Sequence, residues 1–164
     1  MEKQDTGLLL NKNNIKLYRR YFKEMTNLLG INVIYRAPRE NKTWDKYGEL
    51  DTFYYEPILV GCIFEEHPTV WTMKKLGWNA EQNETMSVIY VPYDLEKLQV
   101  GALFIVPSGI DGSKGRLFRV VRMSTTMVYP ASISCMLAPE YENTFEKGQV
   151  DHEKNDFNLL NTEE

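Results

Sequence analysis

The stretch at residues 106–121, VPSGIDGSKGRLFRVV, sets Gly109, Gly112 and Gly115 around Lys114, residue types that could cradle a phosphate. A phosphate loop requires G-x-x-x-x-G-K-[ST], with a helix behind it whose N-terminus faces the anion. Here Lys114 precedes the last glycine, and 116–123 alternates β-branched and aromatic residues with arginine, which is the pattern of a half-buried strand. A second strand-like run, 101–106, ends on Pro107. The reading is a turn between two strands.

Acid-base chemistry would fall first to histidine. His67 stands in FEEHPTV beside Glu65 and Glu66, where an acidic turn at a strand end is the simpler account; His152 falls in the acidic C-terminal stretch. Cys62 and Cys135 lie inside apolar runs and read as small buried hydrophobes. Two histidines and two cysteines, scattered, do not supply the paired short spacings of a zinc site. No metal, cofactor or catalytic set is assigned, and no G-x-S-x-G elbow occurs.

Two other constellations have chemical content. Glu49, Asp51 and Glu56 surround Trp44, Tyr47, Phe53, Tyr54 and Tyr55, as a sugar-binding cleft would require, but a glycosidase needs a fixed carboxylate separation that spacing alone does not show. Arg116, Arg119 and Arg122 could form a basic stripe for single-stranded nucleic acid, yet three-residue steps on a strand do not share one face.

The elements that would position these residues follow from periodicity. Ile15, Tyr18, Phe22, Met25 and Leu29 predict a helix over 14–29, opened by Asn13 or Asn14 and stopped by Gly30. Its apolar side is expected on a sheet, with the basic side as an alternative surface for an acidic partner. Strands are expected at 31–36, 57–64, 87–92, 101–106, 116–123 and 133–137, with long connections at 39–52 and 65–84. Trp71, Met73, Leu76 and Trp78 in the second connection look exposed and in need of cover. The division expected is a flexible arm at 1–12, one β-rich domain at 13–139 with its N-terminal helix, and an acidic extended tail at 140–164. One helix followed by about six strands, without strand-helix alternation, points to a small antiparallel β-barrel or sandwich with long loops, not a doubly wound sheet.

Composition agrees with one domain. The 164 residues are 43% hydrophobic and 26% charged, ordinary for a globular chain, and ten Tyr, seven Phe and three Trp favour sheet. A formal charge of -4 disfavours a general nucleic-acid binder. No apolar run is long enough for a membrane helix and the N-terminus lacks the order of a signal peptide, so use without secretion, away from any membrane, is expected.

The order of several segments resembles the neck, or head-completion, proteins of contractile-tailed bacteriophages. INVIYRAPRE resembles the family's early strand ending on Tyr-x-x-Pro-Arg-Glu, YGELDTFYYEP its acidic loop, and MKKLGW its apolar segment with a glycine. LEKLQVGALFIVP resembles its Pro-x-x-Gly-Asp strand, RLFRVVRM the strand that follows, and YENTFEKGQVD its tail. The likeness spans most of 31–151; one departure is Gly101-Ala102 where the family has Gly-Asp. It implies a non-enzymatic virion protein, made in the host cytoplasm, forming a cyclic, expectedly hexameric ring that closes the DNA-filled head. Such a ring meets a portal or adaptor above and a tail terminator or second neck protein below, with packaged DNA passing without sequence specificity. Under this reading Trp44, Tyr47, Phe53, Trp71, Met73, Trp78, Tyr141 and Phe145 are candidate interface residues, and Ile110, Asp111 and Lys114 a loop facing the channel or tail. The alternative reading is an intracellular barrel that binds single-stranded nucleic acid.

Overall fold

The computed structural model describes residues 12–44, 50–79, 85–108, 114–124 and 131–140, with 40–44 and 50–53 described by their backbone. Helix α1 (Lys12–Leu29) has neither glycine nor proline inside it and ends at Gly30. Strand β1 (Ile31–Arg36) follows at once, then β2 (Pro38–Trp44), β3 (Leu50–Tyr54) and β4 (Ile58–Glu65). A short helix α2 (Val70–Lys75) precedes β5 (Ser87–Pro92), β6 (Leu103–Ser108), β7 (Lys114–Ser124) and β8 (Ser132–Pro139).

Six of the strands close into an antiparallel barrel in the order β1-β4-β5-β8-β7-β6, with β6 returning to β1 through Ile34 opposite Ile105 and Arg36 opposite Leu103. Closure removes the free edges that an open sheet of this composition would expose. The interior is filled by one alternating set: Val33 and Tyr35 from β1, Val60 and Cys62 from β4, Phe104 and Val106 from β6, with Ile89, Val120 and Leu137 opposite. The Tyr35 and Phe104 rings meet at 5.1 Å and those of Phe64 and Phe118 at 5.5 Å.

Both helices lie on the outside of the barrel wall. α1 packs against β4, where glycines permit close approach: a Cβ on Gly30 would stand 2.3 Å from the Thr26 carbonyl oxygen and 2.6 Å from that of Cys62, and the Thr26 methyl lies over Gly61. α2 covers β5, β7 and β8 through Met73, Leu76 and Trp78 on Val88, Met136 and the half-buried Val121. β2 and β3 pair as a separate two-stranded sheet, Trp44 opposite Leu50, with a register shift between Pro38 and Lys42.

Several expectations are corrected by these elements. The polar connection at 39–52 is a hairpin with only its tip left over, because backbone pairing, not an apolar face, defines it. The connection at 65–84 contains α2. Helix α1 begins at Lys12, one to two residues before the expected caps. Glu140, at the head of the expected tail, bonds through its amide to the Leu117 carbonyl. Of the arm expected at 1–12, Lys12 belongs to α1 and residues 1–11 lie outside the described residues, as do 141–164.

Candidate interaction surfaces

One end of the barrel gathers segments far apart in the chain. The Tyr35 hydroxyl, at the end of β1, donates to the Glu96 carbonyl at 3.1 Å. Gln99 donates through Nε2 to the Pro38 carbonyl at 3.2 Å, and the Tyr55 amide to the Ala37 carbonyl at 2.8 Å. Arg119 on β7 reaches the Tyr54 hydroxyl at 3.4 Å and grips Glu140. Burial drives the Tyr35 phenol up to about 12, so it is a neutral donor at every physiological pH. Burial also raises Tyr54, which Arg119 partly offsets.

The exposed ring at this end is Tyr55, with the Lys97 ammonium 3.7 Å and the Arg39 guanidinium 5.1 Å from its centroid. Lys97 holds a left-handed backbone, φ 57, in the turn between β5 and β6. Pro38, Tyr55, Lys97, Leu98 and Gln99 line a shallow cleft of about 310 Å³. An aromatic ring between two cations is a contact surface suited to acidic or aromatic groups of a partner.

The second surface is α1. None of its residues is fully buried. Ile15, Phe22 and Met25 are half-buried, while Leu17, Tyr21 and Leu28 form an apolar line that is 62%, 59% and 79% exposed. Along one edge of that line Lys16, Arg20 and Lys23 are exposed as well, with Arg20 paired to Glu24 at 2.9 Å. Arg19 stacks over the Tyr93 ring at 3.5 Å and ties the helix to the end of β5.

The candidate residues read from sequence divide sharply. Trp71 is 71% exposed on α2, with Lys75 5.2 Å from its ring. Met73 and Trp78 are 2% and 6% exposed, packed with Leu76 onto the barrel. What covers them is this chain itself. The signals for α2 were present in Thr69, whose hydroxyl accepts from the Thr72 amide, in Lys74 and Lys75 in the last turn, and in Gly77 at φ +76. Trp44 and Phe53 fall on β2 and β3; Tyr47, Tyr141, Phe145, Ile110 and Asp111 lie outside the described residues. Lys114 is exposed at the start of β7, paired with Ser108 across the hairpin, so the glycine-rich stretch joins two strands and no helix follows it.

The arginines do not form a stripe. Arg116 binds Glu66 and lies 5.4 Å from the Phe118 ring, whereas Arg119, an odd number of residues on, faces the other side of β7. A register shift between Val120 and Arg122 interrupts the alternation again. The hydrogen bond from Arg116, with its charge, holds the Glu66 carboxyl below the usual range; the exposed His67 adds to this. Cys62 and Cys135 are free thiols in the core, each pushed up to about 12 by burial, which makes them inert. Among the described residues no group of three His, Cys, Asp or Glu side chains is placed to hold a metal ion, and no helix is long and apolar enough to cross a membrane.

No family model and no curated protein matches the chain. Among solved structures it is similar to the solution structure of a protein from Shigella flexneri 2a, at 12% identity and a TM-score of 0.44 over 68% of this chain and 92% of that one, a likeness too distant to bear on what this chain does.

Proposed function

We propose that this protein is a structural component of a bacteriophage neck. Copies of it form a cyclic ring, expected to be a hexamer, that closes the filled head below the portal and offers the tail a docking surface. A portal or adaptor protein contacts one side of the ring, a tail terminator or second neck protein the other, and packaged DNA passes through without sequence-specific contacts.

The observation that supports this reading is the meeting of the family-like segments at one barrel end. YRAPRE, FYYEP, LEKLQVG and RLFRVVRM lie tens of residues apart, yet the bonds Tyr35 to Glu96, Gln99 to Pro38, Tyr55 to Ala37 and Arg119 to Tyr54 join them into one unit. That unit presents Tyr55, Arg39 and Lys97 outward, and aromatic rings with arginine are the side chains that anchor protein contacts. Its interior is packed with side chains, so the features that distinguish the surface are contact features.

The test is quantitative mass spectrometry of purified virions of the phage that carries this sequence, scaled to the major capsid protein. A few copies per particle, in the range of the portal, are expected. Absence from virions alongside abundance in infected cells overturns the reading.

A further inference from the structure

Helix α1 lies on β4 and leaves Leu17, Tyr21 and Leu28 exposed along one line. Between Lys12 and Leu29 the helix carries five basic residues and one acidic residue. The chain beyond the described residues has the opposite character. Residues 141–164 carry seven acidic and two basic side chains, with Phe157, Leu159 and Leu160 clustered near the end. A segment with three apolar anchors among carboxylates is the chemical complement of an apolar line flanked by Lys16, Arg20 and Lys23.

The place where that segment departs decides whose helix it meets. Glu140 is fixed to β7 by its amide on the Leu117 carbonyl and its carboxylate on Arg119. In the closed order β1-β4-β5-β8-β7-β6, β7 is three strands from β4 in either direction, so the chain leaves the wall opposite α1. Two unlike patches on opposite walls make a head-to-tail contact, the kind of contact from which cyclic rings are built when its rotation closes. The 17 residues from Glu140 to Phe157 span up to about 56 Å when extended, enough to cross onto an adjacent copy.

We propose that the exposed face of α1 seats the acidic C-terminal segment of the neighbouring copy, with Phe157, Leu159 and Leu160 on Leu17, Tyr21 and Leu28 and the segment's carboxylates beside Lys16, Arg20 and Lys23. This rests on the ring reading above and names the contact that would hold the ring together.

The test uses full-length chains in solution, one population carrying Tyr21→Cys and the other Leu159→Cys, mixed at low salt and oxidised with oxidised glutathione. Cys62 and Cys135 are buried and do not compete. A cross-linked heterodimer on a non-reducing gel is expected, lowered at least about tenfold by high salt or by Arg20→Glu with Lys23→Glu. Circular dichroism of each variant checks that the fold is kept. No heterodimer overturns the proposal. So does cross-linking confined to single chains of the doubly substituted protein, which would put the segment on its own helix. A heterodimer with Leu9→Cys in place of Leu159→Cys, and none with Leu159→Cys, assigns the face to the N-terminal arm and also overturns it. The neck reading fails separately: a heterodimer from a protein absent from virions removes the phage assignment and leaves the contact, whereas presence in virions without the heterodimer does the reverse.

Discussion

Arg119 and Glu140 form a two-point ion pair, Nε to Oε2 at 3.0 Å and Nη2 to Oε1 at 2.7 Å, which fastens the end of β8 to the outer face of β7. The fork geometry matches guanidinium to carboxylate, and Glu140 is 15% exposed, so the pair is shielded from solvent screening more than a surface bridge. Arg119 is held further into its charged state, chiefly by the bonds to Glu140.

Removing either partner leaves a half-buried charge with fewer bonds than it has now. Glu140→Ala is therefore expected to cost about 1–3 kcal/mol in denaturant unfolding, and a double-mutant cycle with Arg119→Ala to show coupling of roughly 1 kcal/mol or more. The Arg20–Glu24 bridge on α1, 78% and 57% exposed, serves as the control: Glu24→Ala should shift stability by less than about 0.5 kcal/mol. Equal effects at the two sites would remove the special status of the Glu140 pair.

The two tryptophans of the α2 region should separate folding from contact. Trp78, 6% exposed against Met73, Leu76, Val88 and Met136, is part of the packing that holds α2 to the barrel. Trp78→Ala is expected to cost about 3–5 kcal/mol. Trp71 is 71% exposed, and Trp71→Ala should change stability by no more than about 0.5 kcal/mol while weakening whatever contact that ring makes. Unfolding curves that move alike for both variants would contradict the placement of α2.

How much of this was legible in the sequence depends on how each element is stabilised. The barrel strands declare themselves because their residues alternate between a packed interior and an outer wall, as in Val33 and Tyr35 or Phe118 and Val120. α1 declares itself through five apolar positions at helical spacing. The β2–β3 hairpin does not, since PRENKTW has no apolar alternation and its pairing with LDTFY is a matter of backbone bonds. α2 is six residues long, too short for a period to show, so Met73 and Trp78 look exposed until the cap at Thr69 is weighed. Barrel closure through Ile34 and Ile105 has no local signature at all, because it joins strands about seventy residues apart. The Tyr55 surface escapes for the same reason: Arg39 comes to its ring from the start of β2 and Lys97 from the turn between β5 and β6.

Gly30 marks the point where α1 meets the barrel most closely. A methyl there would collide with two backbone oxygens, 2.3 Å from Thr26 and 2.6 Å from Cys62, neither of which can rotate aside. Gly30→Ala is expected to cost about 2 kcal/mol or more, with loss of helical signal in far-UV circular dichroism as α1 is levered off β4. Gly61→Ala meets the Thr26 methyl at 3.4 Å and the Asn32 side-chain oxygen at 3.7 Å, both movable, and should cost less than about 1 kcal/mol. A Gly30→Ala protein as stable as the parent would mean that α1 is not seated as described.

The core should make this protein sensitive to alkali. Burial raises Cys62 and Cys135 from 9.0 to about 12, and Tyr35 and Tyr90 from 10.0 to about 12, the last with help from Glu65. All four groups are neutral in the fold and ionise more readily once unfolded. Their contribution is fully present below about pH 9 and is lost as pH rises toward 12, because the unfolded chain releases protons that the folded chain retains. Each thiol adds a slope of about 1.4 kcal/mol per pH unit once above its unfolded value, and the tyrosines join roughly one unit later. Unfolding free energies measured from pH 7 to 11 should therefore be level at first and then fall with growing steepness, and Cys62→Ala with Cys135→Ala should delay the onset by about one pH unit. Thiol-reactive dye added to the native protein at pH 8 should react only as fast as the barrel opens. Rapid labelling at that pH, or stability that stays level to pH 11, would show that the two thiols are not sealed in the core.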